Sequence, residues 1–393
     1  MSEVFDVRPA GDDEKPASIP DGSADDSTAS GRRGLPSPIE HLVDVATQHQ
    51  IVLLGDQRGV AQHVRLLAEA VPELHRAGVG ALVWEFTNSR RQDDVDALLS
   101  APEWDRRTAL ALFVDLMGIG FGYEEYVEVL EAIWRHNRSL PEDWPPFRLV
   151  AAGLPSYVED PDLLEGRSAA EIELRNWWLG GHYRDVTATH LANIVTQEVV
   201  RHGLRAVVYA DADRTETELI GYVDGRPSLG PGVLLANWMG AGVARVVFHG
   251  AVHDVDAMIR VEELIAASPD PESSFGLALE RSTLGNVRVH DLQGVAHGSA
   301  GPFDLGDLAH SYLFVAPREQ WTPVQLADDL LGPDTLAAGE RRYRALDPRD
   351  EAYTQAELEE IRVEAHDDLA VSWPTPEVPE DDEPKKRRLF RRG

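Results

Sequence analysis

The chain has 393 residues, 43% of them hydrophobic, enough to bury a sizeable core in one large or two ordinary domains. Its formal net charge of -31 argues against a broad nucleic-acid surface, because phosphates repel such a chain unless basic residues cluster locally. With no cysteine there can be no disulfide, thiolate metal site or cysteine nucleophile, and a reducing compartment is the natural setting.

Residues 1 to about 35 are rich in Asp, Ser, Gly and Pro and offer little to bury, so they are expected to be disordered. The first residues, MSEVFDVRPAGDDEK, lack the basic and apolar regions of a signal peptide. No apolar run approaches the roughly 18 residues of a membrane span, and a cytoplasmic protein is expected. From Leu35 onward short apolar runs recur: IVLLG (51–55), ALVWEF (81–86), RLVAAG (148–153), AVVYAD (206–211), ARVVFHG (244–250), NVRVHDL (286–292) and SYLFVAP (311–317). Their length and their branched and aromatic content predict buried strands.

Helical periods lie between the first of these. Val64, Leu67, Val71 and Leu74 share one face, as do Tyr123, Val127, Leu130 and Trp134, and Ala188, Leu191, Val195 and Val199. Pro72 predicts a kink in the first of these helices. Strands alternating with helices predict an α/β fold with a largely parallel sheet covered on both faces. The main domain is expected over 36–325 and a helical extension over 326–372, where Thr354 and Glu357 form a capping box. Residues 373–393 read as an acidic, then basic, disordered tail. In KKRRLFRR (385–392) six basic residues surround Leu389 and Phe390, which suits anionic lipid or nucleic acid. The adjacent EDDE favours a charge-balanced solubilising tail.

Ligands of an open parallel sheet gather beyond the carboxyl ends of its strands. Asp56, Glu85 and Asp211 fall there, which makes either a constellation of acids or ordinary caps facing water. "LLGDQRGVAQHV", "ALVWEF" followed by Gln92 and Asp96, and "HYRDVTATHLANIV...RAVVYADADRT" resemble the superfamily of haem-binding uptake (ChaN-like), erythromycin-esterase-like and Tiki proteins. The resemblance covers about residues 40 to 250. It implies that Asp56 replaces the family's first glutamate, that Glu85 is the second-strand glutamate, and that Arg184 and Asp185 are its Arg-Asp pair. Arg58 then stands where the first-motif histidine is expected, and Arg214 at or beside the late one. His63 lies on a helix where the haem-uptake branch often has a histidine. That branch uses a tyrosine as iron ligand; Tyr123 and Tyr126 are the nearby aromatics, and helical spacing equally makes them core.

The two arginines change the expected chemistry. A guanidinium has no lone pair for a metal and stays protonated, so no metal site and no histidine-based hydrolysis are expected here. Arginines beside Asp56 and Glu85 are also expected to lower the acids' pKa values. Either they neutralise those acids internally, or they hold a small anionic molecule or a peptide carboxylate. Two roles follow: a ligand-binding or pseudoenzyme role, or a hydrolase with Glu85 as general base. No cofactor is expected from the residues; haem is implied by the resemblance alone. His249 and His253 have a metal-like i,i+4 spacing, but Val246-Val247-Phe248 reads as strand and Gly250 breaks a helix. Trp177 and Trp178 suit a pocket wall. Ser156 and Ser282 lack a nucleophile-elbow context.

Overall fold

The computed structural model describes residues 35–371 except 118–121, 156–163, 181–182, 218–229, 253, 269–272, 281, 290–302 and 334. Of the segments expected to be disordered, 1–35 and 373–393, all but Leu35 lie outside the described residues. The elements run α1 (Pro38–Gln48), β1 (Ile51–Asp56), α2 (Ala61–Arg76), β2 (Ala81–Asn88), α3 (Gln92–Ser100), α4 (Arg106–Met117), α5 (Glu124–Ser139), β3 (Arg148–Gly153), α6 (Ala169–Gly180), α7 (Tyr183–Glu198), β4 (Ala206–Asp211), α8 (Pro231–Met239), β5 (Val243–Phe248), α9 (Val255–Ala266), β6 (Phe275–Ala278), β7 (Arg288–Val289), β8 (Phe303–Asp304), α10 (Leu305–Leu308), β9 (Ser311–Phe314), α11 (Leu336–Leu346) and α12 (Gln355–Val371).

Seven strands form one sheet in the order β3-β2-β4-β1-β5-β9-β6, parallel except for β6, which pairs antiparallel with β9. The expected α/β architecture is therefore present. Residues 286–292 were expected to make a strand of this sheet. Among the described residues only Arg288–Val289 is strand, and it pairs with Phe303–Asp304 in a separate two-stranded sheet. Conversely, Phe275–Ala278 joins the main sheet although its four residues carry a glycine and give no extended apolar run.

Both faces of the sheet are covered because alternate strand residues need apolar partners on each side. On one face Val52, Leu54, Leu82 and Trp84 share a core with Leu67 and Leu74 of α2 and Leu130 and Ile133 of α5. On the other, Leu53, Val83 and Val208 pack with Leu191 and Val195 of α7 and Leu235 of α8. The predicted helical faces are the buried ones: Val64, Leu67, Val71 and Leu74 are at most 1% exposed. Helix α2 runs from Ala61 to Arg76 with Pro72 inside it. Helix α12 starts at the predicted capping box: Thr354 N–H donates to the Glu357 carboxylate (2.7 Å) and Glu357 N–H to Thr354 Oγ1 (3.3 Å). Leu358 of α12 belongs to the same core as β1. A smaller apolar cluster of Leu164, Ile172 and Ala345 joins α6 to α11.

The two edge strands are met by other parts of the chain. Beside β3 the Gln92 side-chain amide donates to Leu149 O (2.9 Å) and accepts from Ala151 N–H (2.8 Å), as a neighbouring strand would. Beside β6, Gly276 N–H donates to Pro36 O (3.0 Å). A Cβ at Gly276 would lie 2.2 Å from His41 Cβ, so only glycine lets α1 approach this edge. No helix among the described residues is long and apolar enough to cross a membrane.

Candidate functional site

Parallel pairing sets the carboxyl ends of β1, β2, β4 and β5 side by side, and register then decides which side chains meet. Asp56 lies opposite Asp211 across the β1–β4 pair. The β2–β4 pairing ends at Trp84 and Tyr209, and the β2–β3 register shifts after Trp84. Glu85 is therefore the first residue past the regular ladder, although β2 itself continues to Asn88. Arg58 follows β1 by two residues, and Arg214 closes the short 3₁₀ turn Ala212–Arg214 after β4. Asp56, Arg58, Glu85, Asp211 and Arg214 thus converge at one end of the sheet.

Within that group the acids have different partners. Asp56 is 1% exposed. Its Oδ1 meets His63 Nδ1 at 2.6 Å, and its Oδ2 accepts from the Tyr209 hydroxyl at 2.5 Å. His63 sits in the first turn of α2, so the strand–turn–helix connection brings it back over its own strand. Its ring stacks on Phe248 with centroids 4.2 Å apart. Nδ1–H donates to the carboxylate, and Nε2 is buried without a hydrogen-bond partner. The pair has the form of a carboxylate orienting an imidazole base, but the imidazole is 1% exposed and sealed from substrate. Burial and the Asp56 charge push the Tyr209 hydroxyl well above its ordinary pKa, so it remains a donor.

The arginines pair with the other two acids. Arg58 grips Asp211 with both ends of its fork: Nε donates at 2.9 Å and Nη2 makes a second, closer contact. Arg214 Nε meets Glu85 Oε1 at 2.5 Å, and Glu85 Oε2 also accepts from Asp211 N–H at 3.3 Å. Arg58 is thus paired with Asp211 and Arg214 with Glu85. The reason is strand order: β4 is the neighbour of β1, so Asp211 lies across from the turn that carries Arg58. The direction of the Glu85 shift departs from expectation. Burial raises its carboxyl above the ordinary range, and the opposing pull of Arg214 and Arg58 does not cancel that. Side-chain exposure grades from 12% at Glu85 through 15% at Asp211 and 17% at Arg214 to 38% at Arg58, so Arg58 forms the rim.

A second group stands at the end of β5. His249 is fully buried; its Nε2 lies 2.9 Å from Glu262 on α9 and its Nδ1 2.5 Å from the Tyr312 hydroxyl on β9. Arg318 in turn grips Glu262, with Nη2 at 2.7 Å and Nε at 3.0 Å. Burial holds the imidazole below its ordinary pKa against the pull of Glu262. Burial acts to raise Glu262, but hydrogen bonds from His249 and Arg318 outweigh it and bring the carboxyl down to about 2. A neutral ring therefore donates from Nε2 and accepts from Tyr312 at Nδ1. Trp321 lies between the two histidines, its ring centroid 5.9 Å from His63 and 5.6 Å from His249. It also covers Gly250, whose φ of +94° and 2.3 Å clearance leave no place for a Cβ. The chain carrying Trp321 straps the site: Ala61 N–H donates to Thr322 O and Val324 N–H to Gly59 O, each at 2.9 Å.

Glu262, Arg318 and Trp321 gave no signal in the sequence, since they lie on a helix and a loop with no strand-end motif. His249 was visible only through its spacing from His253, which lies outside the described residues. Arg184 and Asp185 fall in the first turn of α7, and their side chains lie outside the described residues, as do those of Trp177 and Trp178 and all of Ser156. Ser282 is a turn residue: its hydroxyl donates to Leu279 O and accepts from Gly285 N–H, both at 2.9 Å. Tyr123 and Tyr126, 4% and 0% exposed, pack in the aromatic core with Trp84 and Phe86, a setting that does not fit a tyrosine ligand to haem. Among the described residues no group of three or more His, Cys, Asp or Glu side chains could hold a metal ion.

No protein-family model matches the sequence, and no curated protein does. Solved structures do share its fold. A histidine-to-asparagine mutant of the erythromycin esterase EreC, in its open conformation, superposes with a TM-score of 0.52 at 13% identity, covering 75% of this chain and 99% of that one. A Bacillus cereus protein solved as a structural-genomics target superposes at 0.50 with 12% identity, covering 74% of this chain and 93% of that one. ChaN of Campylobacter jejuni, solved with cofacial haem, reaches only 0.28 at 10% identity over 53% of this chain and 85% of its own.

Proposed function

We propose that the cluster at the carboxyl end of the sheet is a binding site for a small anion or a peptide carboxylate, on a fold it shares with an esterase but without imidazole-based hydrolysis. The observation that carries this reading is the Arg58–Asp211 pair at the rim. Asp211 already occupies the guanidinium fork as a carboxylate, and Arg58 is 38% exposed. An incoming carboxylate has the geometry to take that fork, so binding replaces one bidentate carboxylate pair by another. Both described histidines near the site are buried and committed to carboxylates, which leaves guanidinium as the group a ligand meets. A cysteine-free chain accords with a cytoplasmic setting.

The test is calorimetric titration of the whole protein with succinate and with a short peptide bearing a free carboxylate. The expected result is one site per chain, weakened at least tenfold by Arg58→Ala. Unchanged affinity in that variant overturns the reading.

One observation favours a second reading, a hydrolase. Burial raises the Glu85 carboxyl, which moves it towards the range useful to a general base, with Arg214 beside it to stabilise a developing oxyanion. Turnover of ester or peptide substrates by the wild type, abolished in Glu85→Gln, would establish the hydrolase and displace the pseudoenzyme.

A further inference from the structure

The arginine-lined cavity beyond β3 is separate from the cluster just described and rests on none of its reading. Leu164–Arg167 leads into α6, and α11 packs against it through Ala345 and Leu164. Arg342 of α11 donates to Pro155 O at 2.7 Å, and Asn176 of α6 donates to Ala345 O at 2.6 Å. Between these segments lies a cavity of about 310 Å³. Its floor is the small apolar cluster that joins α6 to α11. Its walls carry Arg167, Arg341, Arg344 and Arg349, with Glu165 and Asp350 as the acids.

Four guanidinium groups around one small cavity run against the charge of this chain, which is -31 overall. Their spacing explains how they meet. Arg341 and Arg344 are one helical turn apart on α11 and project from the same side. Arg349 follows the helix, and its position is fixed twice: the Glu357 carboxylate takes its fork at 2.8 and 2.9 Å, and its guanidinium lies 3.4 Å from the Tyr353 ring centroid. Arg344 meets Glu340 at a loose 3.5 Å and is 38% exposed. Arg167 and Arg341 are exposed at the mouth. The site thus combines one cation held rigidly by its own carboxylate with others on the wall and rim.

We infer that this cavity binds a soluble phosphate-bearing small molecule, with Arg341 and Arg344 donating to its phosphate oxygens and Arg349 adding fixed positive charge. The chemistry is that of guanidinium with a multiply charged oxyanion, which several planar forks hold better than a single carboxylate can be held. The volume is at the small end for a ligand pocket and takes a phosphate group together with a compact polar body. Glu165 and Asp350 at the same cavity can accept from hydroxyl or amino groups carried beside the phosphate.

The experiment is titration of the full-length protein with inorganic pyrophosphate, followed by calorimetry at fixed ionic strength. One site per chain is expected. The Arg341→Ala/Arg344→Ala double variant should weaken it at least tenfold, the effect of losing one or two charge-assisted hydrogen bonds. Arg344→Lys alone, which keeps the charge and loses the fork, should weaken it by a smaller factor with an unchanged melting temperature. Arg58→Ala should leave pyrophosphate affinity intact. Absence of pyrophosphate binding at millimolar concentration, or binding that survives the double variant, overturns the inference. Binding lost in Arg58→Ala but kept in the double variant assigns the anion to the other cluster and overturns it equally.

Discussion

Asp56 closes β1 and Glu85 lies near the end of β2, on either side of β4 at the same carboxyl end of the sheet, and the chain treats them in opposite ways. Asp56 is enclosed and served by two ring-borne donors, an imidazole at 2.6 Å and a phenol at 2.5 Å. Glu85 stands one step nearer the rim, against a guanidinium. The difference teaches that an acid deep in a parallel α/β edge is held by hydrogen bonds from aromatic rings that are themselves core. Towards solvent, where burial is incomplete, full counter-charges take over. The first arrangement is structural; the second can exchange its partner for a ligand.

The comparison breaks if Asp56 proves dispensable. Asp56→Ala strips the acceptor from two buried donors, His63 Nδ1 and the Tyr209 hydroxyl, and is expected to cost about 3 to 5 kcal/mol in denaturant unfolding. A loss below about 1 kcal/mol would make the enclosed acid no more structural than the rim.

Arg214→Ala should have a smaller effect, about 2 kcal/mol at pH 8, and one that depends on pH. The sign follows from Glu85. Its folded-state pKa is raised above the unfolded value, so the native state binds the extra proton, and stability from this group is lost as pH rises through the folded pKa. Without Arg214 the carboxyl can escape the penalty by protonating at low pH but not at high pH. The destabilisation should therefore shrink on going from pH 8 to pH 5, and a pH-independent loss would contradict the upward shift.

Arg58→Ala is expected to be the mildest, about 1 kcal/mol or less, because an ion pair with a 38% exposed partner is screened by water. A loss as large as that of Asp56→Ala would mean the rim is as structural as the interior, and would remove the basis for ligand exchange at Asp211.

The sequence made the skeleton of this edge readable because strand ends carry their own signals. An apolar run followed by a charged residue placed Asp56 and Asp211 at their strand ends, but the run ALVWEF put the end of β2 at Glu85, whereas β2 continues to Asn88. What it could not supply was pairing. Which arginine meets which acid depends on the order β2-β4-β1, and nothing in residues 51–58 says that the neighbour of β1 is β4. The His249 group was harder still, because its parts come from β5, α9, β9 and the strap that carries Trp321, and only the folded chain brings them together. At the opposite edge, the four-residue β6 left no periodicity to read, whereas NVRVHDL had a strand's composition without a place in the main sheet.

The side chain of Gln92 has a consequence for how this molecule behaves in a crowd. Its amide sits on the outer edge of β3 as one residue of a missing strand, donating to Leu149 and accepting from Ala151. An open β-edge is a template on which another chain can add itself, and growth of that kind runs from molecule to molecule without limit. By setting one glutamine against Leu149 O and Ala151 N–H, the protein covers part of this edge from within. Gln92→Ala should leave the monomer folded yet shorten the lag before light scattering rises on prolonged incubation at high concentration.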